Sequence, residues 1–172
     1  MAAVQPKIVV LDDVNQYEEV LGAIVEWAQD QQRRQSARRP LAIVLDIDET
    51  ALLNKGKRVY RNVYVYAFYR HMLRLNVAVF FVTARSTKYR HHTENQLARL
   101  GYDRYEELFL MPPRLRDPAR FKRNVRRMLI QRGYHIFANL GDQWTDMESG
   151  YFDVGIKLPE DDGTGDDDDD AQ

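Results

Sequence analysis

The chain has 172 residues, 44% of them hydrophobic and 30% charged, with 25 lysines and arginines against 26 aspartates and glutamates. Those proportions are typical of a soluble globular protein, and the length suits one domain able to bury a core rather than a disordered or fibrous chain. The absence of cysteine excludes disulfides, thiolate metal sites and cysteine nucleophiles.

Lys7 to Leu11 is a short β-like run ending at Asp12 and Asp13. Nothing before it has the long apolar stretch of a secretory signal, and no run approaches the ~20 apolar residues that cross a bilayer, so an intracellular, soluble protein without membrane partners is expected. Tyr17 to Arg34 carries Val20, Leu21, Ile24, Val25 and Trp27 near helical period and predicts a helix. Residues 31–39 are polar and basic and lead through Pro40 into Leu41-Ala42-Ile43-Val44-Leu45. A continuous apolar run of this length predicts a strand covered on both faces.

Beyond that strand come Asp46-Ile47-Asp48-Glu49-Thr50, then a polar turn at Asn54-Lys55-Gly56-Lys57. Strand alternation would project Asp46 and Asp48 to one side. Val59 to Tyr66, rich in tyrosine and valine, reads as a hairpin or extended flap, and Phe68 to Leu75 as a helix. Val77 to Val82 is a second buried strand, running into Thr83-Ala84-Arg85. Lys88 to Leu100 follows as a helix closed by Gly101. Leu108 to Met111 is a third strand, stopped by Pro112-Pro113. Asp117-Pro118 is a helix start with an N-cap aspartate and a proline in the first turn. That helix should end at Gly133, before a fourth strand, Tyr134 to Leu140, and Gly141-Asp142. Asp153 to Leu158 is a fifth strand. Strands alternating with helices predict an α/β fold with a mainly parallel sheet. The expected organisation is an N-terminal strand and helix over 1–39, a catalytic domain over 40–159 with a flap at about 51–76, and an acidic disordered tail over 160–172.

In such a sheet, ligands bind beyond the carboxyl ends of the strands. Asp46 and Asp48, Thr83, and Asp142 with Asp146 all stand at strand ends, and Lys122 lies near the start of its helix. Hard oxygen ligands without histidine suit Mg²⁺, and an ammonium and a hydroxyl beside the metal suit a phosphoryl group. On this reading Asp46 attacks phosphorus and Asp48 protonates the leaving alcohol and then activates water. Asp46, Asp142 and the Asp48 backbone carbonyl hold Mg²⁺. Thr83, Ala84 and Lys122 receive the phosphoryl group, Asp146 supports the metal or Lys122, and Thr50 orients Asp48 or the turn below it.

Asp46-Ile47-Asp48-Glu49-Thr50 resembles the first motif of the haloacid dehalogenase (HAD) superfamily, DxDx[TV]. Val82-Thr83-Ala84-Arg85 resembles its second motif, Lys122 its third, and Gly141-Asp142 through Asp146 its fourth, GDxxxD. Within the superfamily, VLDIDETALLN with NLGDQWTDM is most similar to the class C acid phosphatases and their plant relatives of subfamily IIIB. The resemblance implies phosphomonoester hydrolysis, Mg²⁺ dependence and a Rossmann-like sheet. Only Ala51 to Asn76 separates the first two motifs, shorter than in secreted members of the group, so the resemblance implies a small or absent cap, with the site open to large substrates or closed by a partner subunit.

Other readings follow from the same residues. The basic run Arg114 to Arg132 could recruit nucleic acid or a phosphoprotein, although a solvated helix face is the simpler account. That run and the small cap motivate a polynucleotide-end or phosphoprotein phosphatase as an alternative. Tyr60, Tyr64 and Tyr66 could stack on an aromatic leaving group or simply pack, and His91-His92 could touch substrate or face solvent. Lys7 to Asp13 is similar to the opening of a response-regulator receiver, with Asp46 as phospho-acceptor. Only one helix fits between Asp13 and Leu41, however, and a receiver has no use for Thr50, Asp142 or Asp146.

Overall fold

A computed structural model describes residues 6–34 and 39–160. The aspartate run from Asp161, expected to form a tail, lies outside the described residues. In chain order the elements are β1 (Lys7–Val10), α1 (Gln16–Arg34), β2 (Leu41–Leu45), β3 (Leu52–Lys55), β4 (Arg58–Arg61), α2 (Val63–Arg74), β5 (Ala78–Ser86), α3 (Arg90–Arg99), β6 (Glu107–Met111), α4 (Pro118–Gln131), β7 (His135–Gly141), α5 (Trp144–Met147) and β8 (Val154–Lys157). Six strands form one sheet in the order β1-β8-β7-β2-β5-β6, with every pairing parallel. The expected α/β class with a parallel sheet is what the chain adopts.

The continuous apolar runs are explained by cover on both faces. Leu41, Ile43, Leu45, Val79 and Phe81 pack with Leu21, Ile24 and Ala28 of α1, Phe68 and Met72 of α2, and Leu97 of α3. Their neighbours Ala42, Val44, Phe80 and Val82 turn to the other face and meet Val125 and Leu129 of α4 and Met147 of α5. Burying one such leucine or phenylalanine side chain is worth about 1.5–3 kcal/mol, so β2 and β5 anchor the fold from the middle of the sheet.

Helix signals in the sequence are used as physical chemistry expects. Asp117 accepts a hydrogen bond from the Arg120 amide at 2.9 Å, Pro118 opens α4, and Gly133 (φ 99°) follows the last turn in the left-handed region. The basic run in and around α4 is divided among different tasks. Lys122 and Arg126 are buried, and Arg126 donates to the carbonyls of Glu148 (2.7 Å) and Gly150 (2.9 Å). Burial lowers the Arg126 guanidinium to about 10. Arg132 pairs with Glu107 at 2.7 Å.

Two expectations need correction. Val59 to Tyr66 is not one extended flap: the hairpin is β3–β4, ending at Arg61, and α2 starts at Val63 rather than at Phe68. Asn62 caps the helix, its side chain accepting from the amides of Tyr64 and Val65. Tyr64 packs against Tyr17 (5.2 Å between centroids) and Tyr66 against Tyr102 (5.3 Å), while Tyr60 stays exposed on β4. The second correction concerns Asp46 and Asp48. β2 ends at Leu45, so strand alternation does not govern these residues.

The receiver arrangement is also absent. β1 is an edge strand separated from β2 by β8 and β7, and Asp13 is occupied with the amide and side chain of Asn15. Among the described residues no helix is long and apolar enough to cross a membrane.

Candidate active site

The site grows from the carboxyl ends of β2, β5 and β7 and from α4. Past Leu45 the backbone stays tied to the sheet for one more residue, the Asp46 amide donating to the Leu140 carbonyl at 3.0 Å. It then turns. The amides of Thr50 and Leu52 both donate to the Ile47 carbonyl, and Glu49 takes a left-handed φ of 52° that is uncommon for a non-glycine residue. This turn separates the two acids by environment although only Ile47 stands between them.

Asp46 is 6% exposed and accepts from the Lys122 ammonium at 2.8 Å. Lys122 also pairs with Asp146, and Asp142 completes the group. Asp46, Asp142 and Asp146 each offer a carboxylate oxygen within 4.8 Å of the others. Burial first, and then the charge of Asp146, push the Asp46 carboxyl well above its ordinary range, against the opposing pull of Lys122. Burial likewise raises Asp142. Lys122 is raised too: burial works against its charge, but Asp46 and Asp146 outweigh it.

Local sequence holds this cluster in place. Gln143 donates from its amide to Asp146 (3.1 Å) and from its side chain to Asp142 (2.7 Å), and Asn139 donates to the Asp146 carbonyl at 3.0 Å. Gly141 is needed for space rather than for its φ, because a Cβ there would run into the Asp146 carboxylate. Three buried carboxylates facing one ammonium leave two negative charges uncompensated, which is costly without a cation. The donor set, all hard oxygen, fits a divalent metal ion.

Asp48 belongs to a different arrangement. Arg85 holds it through two bonds, Nε to Oδ2 at 2.8 Å and Nη2 to Oδ1 at 2.7 Å, and Asn54 adds a third at 3.2 Å. Its side chain is 42% exposed. Burial works to raise the carboxyl, but the Arg85 hydrogen bonds and charge outweigh it and hold Asp48 below the ordinary carboxylate range. Arg85 is itself braced by α3, donating to Gln96 Oε1 at 2.7 Å and contacting Thr93 Oγ1 at 3.4 Å. The second motif, Val82-Thr83-Ala84-Arg85, contains Arg85 but by itself gives it no task. Its place two residues beyond Thr83 at a strand end was the available signal.

Thr83 is buried and accepts from the Arg85 amide at 3.1 Å, while Ala84 is exposed where β5 shifts register against β6. Thr50 is fully buried, and its hydroxyl has no hydrogen-bond partner among the described residues. It does not bond Asp48, whose partners are Arg85 and Asn54. A cleft of about 870 Å³ around Tyr134, His135, Tyr151 and Asp153 lies at the opposite end of β7 and shares no residue with this chemistry.

Residues 54–161 match the family model described as "HAD superfamily, subfamily IIIB (Acid phosphatase)". The chain belongs to this subfamily. The match begins after the Asp46–Thr50 stretch, so that stretch is placed by its own motif and by the geometry above. The subfamily IIIB chain is 32% identical over 88 residues to the stem 28 kDa glycoprotein of Glycine max, covering 48% of this chain and 34% of that protein. It thus spans about a third of the length of the curated relatives it matches. Its fold is similar to that of the class C acid phosphatase from Bacillus anthracis (TM-score 0.62, 21% identity, 79% of this chain and 64% of that one). It is also similar to a chain of the Pnkp1/Rnl/Hen1 RNA repair complex (TM-score 0.64, 20% identity, 74% and 45%).

Proposed function

We propose that the protein is a Mg²⁺-dependent phosphomonoester hydrolase working through an aspartyl-phosphate on Asp46. The observation that carries this reading is the buried cluster in which Lys122 bridges Asp46 and Asp146 beside Asp142. Asp46, Asp142 and Asp146, with the Asp48 backbone carbonyl, would hold the metal. When bound, Mg²⁺ supplies positive charge that lowers the repulsion between an anionic nucleophile and an anionic phosphoryl group.

The chain's own residues do the remaining work. The Asp46 carboxylate attacks phosphorus, the bond to the alcohol oxygen breaks, and that oxygen takes a proton from Asp48. Asp48 then removes a proton from water as the water attacks the phosphorus of the acyl phosphate, releasing phosphate and restoring Asp46. Lys122 and the Thr83 hydroxyl stabilise the phosphoryl oxygens. Arg85 keeps Asp48 ionised in the free site, the form that activates water. The leaving-group step needs the same carboxyl protonated, so an incoming phosphoryl anion must compete with Asp48 for the guanidinium.

The test is a phosphatase screen with Mg²⁺ and with a chelator, over aryl phosphates, nucleotides, oligonucleotides and phosphopeptides. Hydrolysis should depend on the divalent ion, and Asp46→Asn should lose about 10⁴-fold or more in kcat. Full activity in that variant would refute the mechanism.

A further inference from the structure

A second cleft of about 470 Å³ opens between the β3–β4 hairpin and α3, lined by Lys57, Val59, His92, Asn95, Gln96 and Arg99. Its lining contains two cationic side chains, an imidazole and two amides, and no carboxylate. Three other clefts carry acids: Asp153 in the one around His135, Glu49 and Glu160 beside the hairpin, and Glu18 and Glu26 between α1 and α2. Lys57, His92 and Arg99 have no ion-pair partner among the described residues.

Two contacts tie this cleft to Asp48. Gln96 on its wall accepts from the Arg85 side chain that clamps Asp48. Val59 stands opposite Asn54 in the hairpin register, and the Asn54 side-chain Nδ2 donates to Asp48. The proposed function makes Asp48 the group that serves the leaving oxygen, so the cleft lies where the alcohol part of a substrate would extend. Unpartnered cations with amide donors, free of competing carboxylates, suit the oxygens of a second phosphate.

We propose, on the basis of the hydrolase reading, that this cleft is a leaving-group subsite for a second phosphate. The preferred substrate is then a phosphomonoester whose alcohol carries a further phosphate, either free, as in a nucleoside bisphosphate, or esterified, as at a polynucleotide end. Lys57 and Arg99 bind that group and Gln96 lines its approach to Arg85. Binding energy collected there acts on a part of the substrate remote from the reacting phosphorus.

The experiment compares kcat/KM for adenosine 3′-monophosphate, adenosine 3′,5′-bisphosphate and a 3′-phosphorylated dinucleotide, each as a ratio to 4-nitrophenyl phosphate within the same enzyme preparation. Wild type should favour one or both of the doubly phosphorylated substrates over the monophosphate by about tenfold. Lys57→Ala/Arg99→Ala should bring that preference close to one, chiefly through KM. Lys7→Ala, on the far edge strand, should retain it. Preference for the bisphosphate identifies a free phosphate as the ligand, and preference for the dinucleotide alone a diester. A preference near one in wild type, or one unchanged in the double variant, overturns the subsite and leaves the hydrolase reading standing. No hydrolysis of any ester, 4-nitrophenyl phosphate included, overturns the hydrolase reading and the subsite with it.

Discussion

Asp46 and Asp48 sit two positions apart and occupy two different electrostatic worlds. Asp46 is enclosed with Lys122, Asp142 and Asp146, and burial and its acidic neighbours raise it. Asp48 is partly open, clipped by Arg85 and Asn54, and held low despite partial burial. The buried group suits a nucleophile: its partners are braced by Asn139 and Gln143 and it has little room to move. The open group suits an acid and base that must exchange protons, because its clip is a hydrogen-bonded ion pair that another anion can contest. Sequence adjacency therefore says little about shared environment once the backbone turns at Glu49.

The comparison can be broken most severely on the buried side. Lys122→Met should leave three buried carboxylates with no cation and cost about 3–5 kcal/mol at neutral pH in the presence of a chelator. The raised carboxyls make the direction of the pH dependence clear. Repulsion is present above their folded pKa values and fades as pH falls through them, so chemical denaturation should show the deficit shrinking in acid.

On the open side, Arg85→Gln should leave the fold nearly intact, since the pair is partly solvated and such pairs contribute little to stability. Hydrolysis should fall by about 10²-fold. Without the guanidinium the Asp48 carboxyl rises, so the acid limb of the kcat/KM profile should move to higher pH. An unmoved limb would mean that Arg85 does not set the ionisation of Asp48.

Gly141→Ala sharpens the contrast by a purely steric route. The added methyl collides with Asp146, which should cost about 1–3 kcal/mol in denaturant unfolding. It should also weaken metal binding, raising the Mg²⁺ concentration needed for half-maximal activity, while the clip at Asp48 is untouched. The smallest effect belongs to a control at the far end of the sheet. His135 pairs with Asp153 at 2.7 Å, and that hydrogen bond raises the imidazole against the opposing effect of burial. A raised histidine contributes stability that is full below its unfolded pKa near ~6.5 and is lost as pH rises through its folded pKa. With side chains 28% and 42% exposed, Asp153→Asn should cost less than about 1 kcal/mol at pH 5.5 and nothing at pH 9.

Much of the scaffold was legible because its signals are local. The Leu41–Leu45 run reads as a doubly covered strand, Asp117-Pro118 is a start with a mechanism, and Gly101 and Gly133 end helices in the left-handed region. The strand-end rule picked out Asp46, Asp142, Asp146 and Lys122, which the fold brings together. The start of α2 was missed because Val63-Tyr64-Val65-Tyr66 has strand-like composition. Asn62 was the capping signal that outweighs it, and packing of Tyr64 and Tyr66 against Tyr17 and Tyr102 settles the helix.

From the chain alone came the α/β alternation and the family's four motifs in order, since periodicity, caps and motif spacing are properties of neighbours in sequence. Tertiary structure decided what those motifs face. It sent Arg126 of the basic run to loop carbonyls and Lys122 to the acids. It placed β1 at an edge three strands from β2. It also gave Asp48 to Arg85, which stands 37 positions away. A charge's partner is fixed by which strand ends and helix faces meet across the sheet, and distance in space has no counterpart in a one-dimensional pattern.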